Sequence, residues 1–225
     1  MSRQRLYSTS GLSGYIAIKR YVLHFTYWLP MTYGLPSKPS SISVWFLDLV
    51  FYTLDLLGVP KVFSVISRLI KFKSTRPLND REISIAQTIF QDRLIYDKIY
   101  IDEAAVLGVN TLAHAYVSCR IINCNGPLRI DVLIHELVHC WQYQNLGSMY
   151  IGRALLNHRE KNPYNYGGVQ ALYDKMIGYG RLMDFTYEQQ AEIIQDYYRK
   201  KYMREELLGL EKSVYAYYAG QLVEV

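Results

Sequence analysis

His135 and His139 stand four residues apart with Glu136 between them, in the run His135-Glu136-Leu137-Val138-His139. On a helix, residues four apart project from one face, about one turn apart. Two imidazoles so placed can grip one Zn2+, and the intervening glutamate can reach a water bound to that metal. The spacing points to metal-assisted hydrolysis, with His135 and His139 as ligands and Glu136 as general base. Cys140 follows His139 directly, so on a helix it turns away from the pair and makes a poor ligand.

These ligands need a rigid element to hold them. Asp131 reads as the N-cap of the helix and Gly147 as its stop. Val132, Leu133, Leu137 and Val138 supply apolar flanks, so the histidines belong to a packed helix and not to a loop.

A third ligand is required. The metzincin pattern would place Gly at position 142 and His at 145; Gln142 and Asn145 exclude that class. His158 is the only later histidine, but Arg159, Glu160 and Lys161 put it in a polar loop. The stretch Tyr187–Tyr198 reads as a helix, with Ala191, Ile194, Tyr198 and Tyr202 at helical spacing. Glu192 and Asp196 share a face of it, and Glu192 is the expected third ligand. Without the histidine pair, Glu188, Glu192 and Asp196 would read as a solvated helix face. A carboxylate third ligand followed by an acid one turn later resembles the gluzincin class of zinc peptidases. That resemblance implies that Glu192 binds zinc and that Asp196 accepts a hydrogen bond from a ligand histidine.

Three segments, Arg76 to Ala86, Leu133 to Gln144 and Phe185 to Tyr198, resemble small bacterial zincin-like proteins labelled Rhs-element or Vgr-related. The likeness covers roughly residues 76–200. It implies a metallopeptidase-like domain and supplies no substrate.

Two imidazoles and one carboxylate leave one position on Zn2+ open, the mark of a catalytic and not a closed structural site. Zinc lowers the pKa of its bound water to about 7. Glu136 would take the proton as the water attacks a carbonyl, then pass it to the leaving amine. The oxyanion needs a further donor. No histidine follows Glu192, so a tyrosine is expected, with Tyr164, Tyr166 and Tyr173 lying between the two metal helices. Before the motif, Ala113 to Ile122 reads as a strand, either an ordinary core strand or an edge that could pair with an extended peptide. His114 belongs to that strand or its loop and is not expected to bind metal. Asn123, Asn125, Gly126 and Pro127 mark a turn.

Charge is uneven. Residues 1–76 hold ten Lys or Arg against two acids, Asp48 and Asp55, a balance of +8. The whole chain carries +5, which leaves −3 for residues 77–225. The same third is apolar. The run from Ile42 to Val59 is nearly long enough to span a bilayer, but Asp48 and Asp55 interrupt it, each costing about 2.5–3.5 kcal/mol at a membrane centre. Seven residues apart, they fall on one helix face, so a half-buried helix is expected instead of a span. After Pro60, the segment Val62 to Lys73 ends in basic residues. It either lies on an anionic membrane surface or, with its neighbour, covers the peptidase core.

Pro30, Gly34, Pro36 and Pro39 mark a loop, and Lys73 to Pro77 the boundary between extension and domain. Lys19 and Arg20 break the apolar stretch from Tyr15 to Leu29, so no signal peptide is expected. Cys119 and Cys124 flank a turn and could bridge, but with three cysteines a reduced compartment is the simpler reading. The expectation is thus an α+β, mostly helical, zincin-like domain over residues 76–225, with a basic, apolar helical extension over 1–75. Its leading function is a zinc-dependent metallopeptidase acting on peptides or proteins. The alternative is a non-catalytic zincin-like binding module of a secretion- or toxin-associated assembly. A cytoplasmic location, peripheral contact with anionic membrane and no nucleic-acid partner complete the reading.

Overall fold

The apolar run beginning at Ile42 breaks at Gly58, whose φ of 73° ends α2 (Ile42–Leu56). Pro60, in the first turn, then opens α3 (Val59–Ile70), where a missing N–H costs nothing. The computed structural model describes residues 10–25, 41–71, 73–106, 115–157, 162–203 and 209–224. The expected loop at Pro30 to Pro39 and the residues His114 and His158 lie outside them. α1 (Ser10–Phe25) precedes the pair, and beyond it the chain is mostly helical with one small mixed sheet.

The sheet has the order β1-β2-β4-β3, from β1 (Thr75–Pro77), β2 (Tyr100–Asp102), β3 (Ala115–Ser118) and β4 (Ile121–Cys124). β2 and β4 pair in parallel, and the other neighbours are antiparallel. The stretch expected as one strand, Ala113 to Ile122, is instead a hairpin that reverses at Cys119 and Arg120. Cys119 has a φ of 59°, the left-handed region that lets a tight turn match strand twist. β-rich composition flanks the reversal on both sides, so propensity alone passes over it. Asn123, read as part of a turn, sits in β4 because its amide donates to the Tyr116 and Ile121 carbonyls and to Ser118 Oγ. β3 lies at one edge of the sheet.

Against the sheet and one another pack α4 (Asp80–Phe90), α5 (Ile130–Leu146), α6 (Met149–Asn157), α7 (Gly168–Ile177), α8 (Tyr187–Tyr198) and α9 (Gly209–Glu224). Asn79 and Glu82 close α4 with a reciprocal capping box, and Thr186 and Gln189 do the same for α8. α5 starts earlier than expected. Arg129 is its N-cap, and Asp131 lies inside the first turn, where its charge suits the helix dipole. Gly147 does end the helix. Cys119, Cys124 and Cys140 are all buried free thiols, so the Cys119–Cys124 bridge is not formed.

The extension is built onto the domain through its two acids. Asp48 is buried and receives a two-pronged contact from Arg153 on α6, with Nε to Oδ1 at 2.9 Å. Asp55 accepts from the backbone N–H of Ser148 at 2.8 Å and from its hydroxyl at 2.7 Å, ahead of α6. Arg20 of α1 donates to the Gln144 carbonyl at 2.8 Å. Gly147 and Gly152 make the close approach possible: a Cβ on either would collide with Asp55 or with the Phe51 ring. α2 is thus the half-buried helix expected. α3 differs, since Phe63, Ile66 and Ile70 are exposed and do not cover the domain.

Candidate metal centre

α5 and α8 lie against each other and hold a polar cluster inside the core. His135, Glu136 and His139 come from α5, and Glu188 from the first turn of α8. All four are buried. The Oε2 of Glu188 lies 3.4 Å from Nε2 of His135 and 3.3 Å from Nε2 of His139. These three side chains can each offer one ligand atom within a 4.8 Å span. For a tetrahedral ion with bonds of about 2.0–2.1 Å, neighbouring ligand atoms stand about 3.3 Å apart. The cluster has the size of such a site.

The expected third ligand stands elsewhere. Glu192, one turn after Glu188, approaches His135 from its other nitrogen, with Oε2 3.7 Å from Nδ1, and its second oxygen faces Arg199 at 3.5 Å. Asp196, expected beneath a ligand histidine, accepts from the Tyr166 hydroxyl and from Arg199 Nη1 at 3.2 Å. The spacing of an acid one turn after a glutamate occurs twice in α8. The axial register of α8 on α5 brings the first copy, Glu188, to the two Nε2 atoms.

Two glutamines take the role expected of Asp196. Gln142 Oε1 lies 2.8 Å from His139 Nδ1, and Gln195 Oε1 lies 2.9 Å from His135 Nδ1. Each amide is oriented by what its NH2 group must do. Gln142 donates to the Tyr187 carbonyl at 3.1 Å and to Gln190 Oε1 at 2.9 Å, while Gln190 donates to the Phe185 carbonyl. Gln195 donates to Asp131 Oδ2 at 3.2 Å. Both oxygens therefore face the imidazoles and accept from Nδ1, and both Nε2 atoms turn toward Glu188. A metal ligand needs that tautomer. Gln142 is legible in retrospect, since it lies three residues after His139 on the same face, as does Asp131 four residues before His135.

The carboxylates of the cluster favour positive charge at its centre. Burial alone would lower the pKa of His139, but the Glu188 and Glu136 carboxylates outweigh it and raise it to about 9. Burial pushes Glu188 up, and the two histidines more than reverse this, holding it well below the usual carboxylate range. Glu136 is different: burial raises it, and its Oε2 has no hydrogen-bond partner among the described residues. An orphaned buried carboxylate is costly and is the one group here whose bonding the protein leaves incomplete.

Of the tyrosines expected to serve an oxyanion, Tyr164 alone stands at the cluster, its ring 6.0 Å from that of His135. Tyr166 is committed to Asp196 and Tyr215, and Tyr173 packs on the core. Tyr150 on α6, which no sequence pattern singles out, sits 5.6 Å from the His139 ring. Comparison of the chain with protein-family models, curated proteins and solved structures found no match.

Proposed function

We propose that the protein is a zinc-dependent metallopeptidase whose metal is held by His135, His139 and Glu188. The observation that supports this best is the pair of Nδ1–glutamine hydrogen bonds, which turn two Nε2 atoms toward one carboxylate oxygen, where a metal ion would take the place of the Nε2 proton. Three side chains of metal-ligand type converge within 4.8 Å, and the buried Glu136 Oε2 has no hydrogen-bond partner among the described residues. Zinc suits two imidazoles and one carboxylate, and when bound it polarises a carbonyl and brings a water pKa to about 7.

The chain's own residues supply the rest. Glu136 accepts a proton at Oε2 from the attacking water and returns it to the leaving amine. Its burial raises its proton affinity toward that task. Gln142 and Gln195 keep the imidazoles in the binding tautomer. Tyr164, whose ring lies 6.0 Å from that of His135, is the candidate donor to the oxyanion. The gluzincin-like and Rhs- or Vgr-like patterns of the sequence favour the same reading, with the third ligand moved to Glu188.

The test is metal analysis paired with peptide hydrolysis. Purified protein should carry one zinc per chain. Glu136→Gln should keep that zinc and lose hydrolysis by about 10²–10⁴-fold, because an amide cannot accept the proton. Zinc bound normally with no turnover of any peptide would favour a binding module. Unchanged turnover in Glu136→Gln would remove Glu136 as the base.

A further inference from the structure

The outward face of the extension is unlike the rest of the molecule. Sixteen of the 26 exposed large hydrophobic side chains among the described residues lie between residues 15 and 70. They recur at helical spacing: Ile18 and Val22 on α1, Phe46 and Val50 on α2, Val62, Ile66 and Ile70 on α3, where Leu69 and Ile70 are 69% and 76% exposed. These are stripes, and stripes of this kind mark a contact surface. The charge on that face has one sign. Asp48 and Asp55 are the only acids in residues 1–76, and both are turned inward, to Arg153 and to Ser148. Lys19 on α1, Lys61 on α3 and Lys73 just beyond it are exposed.

We propose that α1, α2 and α3 seat the protein peripherally on an anionic lipid bilayer. Apolar side chains enter the boundary between headgroups and acyl chains while lysines meet anionic headgroups. A second copy of this chain is the poorer occupant, since a two-fold contact would bring two basic faces together. Spanning is opposed by the fold. α2 and α3 together have the length and composition of a span, but they are bent by 66°. α2 is also fastened to α6 by the Asp48–Arg153 pair, which crossing would carry into hydrocarbon or break. α3 alone, with 12 residues, reaches about 18 Å against a hydrocarbon core of about 30 Å. This seating is independent of the peptidase reading.

Vesicle flotation with the full-length protein tests it. The protein should float with phosphatidylcholine vesicles containing phosphatidylserine at low ionic strength, and be released by high salt. Lys19→Glu with Lys61→Glu should weaken partitioning by about 25-fold or more, at about fivefold per lysine removed from an anionic surface. Leu69→Gln with Ile70→Gln should weaken it comparably, while leaving zinc content and the melting transition unchanged. Three outcomes overturn the proposal. They are no flotation at low salt, equal binding to pure phosphatidylcholine in every variant, or a stable dimer that Leu69→Gln with Ile70→Gln dissociates and that does not float. Retention through both high salt and alkaline carbonate would replace the peripheral seat with insertion.

Discussion

Two of the places where this protein buries charge do so in opposite ways. Between α2 and α6, Asp48 and Arg153 match prong to prong, donors meeting acceptors. Between α5 and α8, two Nε2 atoms meet one oxygen of Glu188, and Oε2 of a second carboxylate, Glu136, has no partner among the described residues. The first arrangement is complete and explains itself as attachment of the extension. The second is incomplete: three side chains of metal-ligand type converge, and a buried carboxylate oxygen beside them is unpaired among the described residues. Burial of polar groups alone does not separate structure from function; the balance of donors and acceptors does.

The largest effect expected at the incomplete cluster comes from its third side chain. Glu188→Ala should abolish stoichiometric zinc binding, whereas Glu192→Ala should retain it, read by metal analysis after dialysis. The reverse result would return the ligand role to Glu192. At the complete pair, Arg153→Met should cost about 3–5 kcal/mol in urea unfolding, because it strands a buried carboxylate. The folded fraction should still bind zinc at full stoichiometry. Loss of zinc there would show that the two clusters are not separable.

A smaller effect belongs to the amides beneath the histidines. Gln142→Leu and Gln195→Leu should each weaken zinc affinity by about 10–100-fold in competition with a chelator. Gln142→Glu should recover most of it, since a carboxylate also accepts from Nδ1. Unchanged affinity in both leucine variants would mean that the tautomer is held by other means. The smallest effect is on acid stability. Burial would raise Asp131, but hydrogen bonds from Arg199, Gln195 and Arg129 outweigh this and depress it. A carboxyl with a depressed folded value contributes stability above the unfolded aspartate pKa of about 3.9. That contribution is lost as pH falls through the lower folded value. Asp131→Asn should therefore lower the neutral-pH midpoint and flatten this acid limb.

Much of the site is legible in the residues alone. The spacing of His135, Glu136 and His139 names two candidate ligands and a candidate base, and periodicity places Tyr187 to Tyr198 on a helix. That Asp48 and Asp55 share one face of α2 also follows from their seven-residue separation, but that this face turns inward is shown only by their contacts with Arg153 and Ser148. What escapes is longitudinal. Glu188, Glu192 and Asp196 lie on one face of α8, successive members about 6 Å apart along the axis, while a ligand bond is about 2 Å.

The sequence by itself determined which side chains share a face, because helical and strand periods are local properties of the backbone. It determined that a metal-hydrolase pattern sits on a packed helix, and that an apolar, basic segment precedes it. Only the tertiary structure decided that Glu188 and not Glu192 meets the histidines, that Gln142 and Gln195 hold their tautomers, and that Asp131 orients Gln195 and does not cap α5. Each of those depends on the register between elements distant in the chain; the His135–Gln195 contact alone spans 60 residues. Register is set by how the α5 and α8 side chains interlock and by where Thr186 starts α8. No local pattern carries that information.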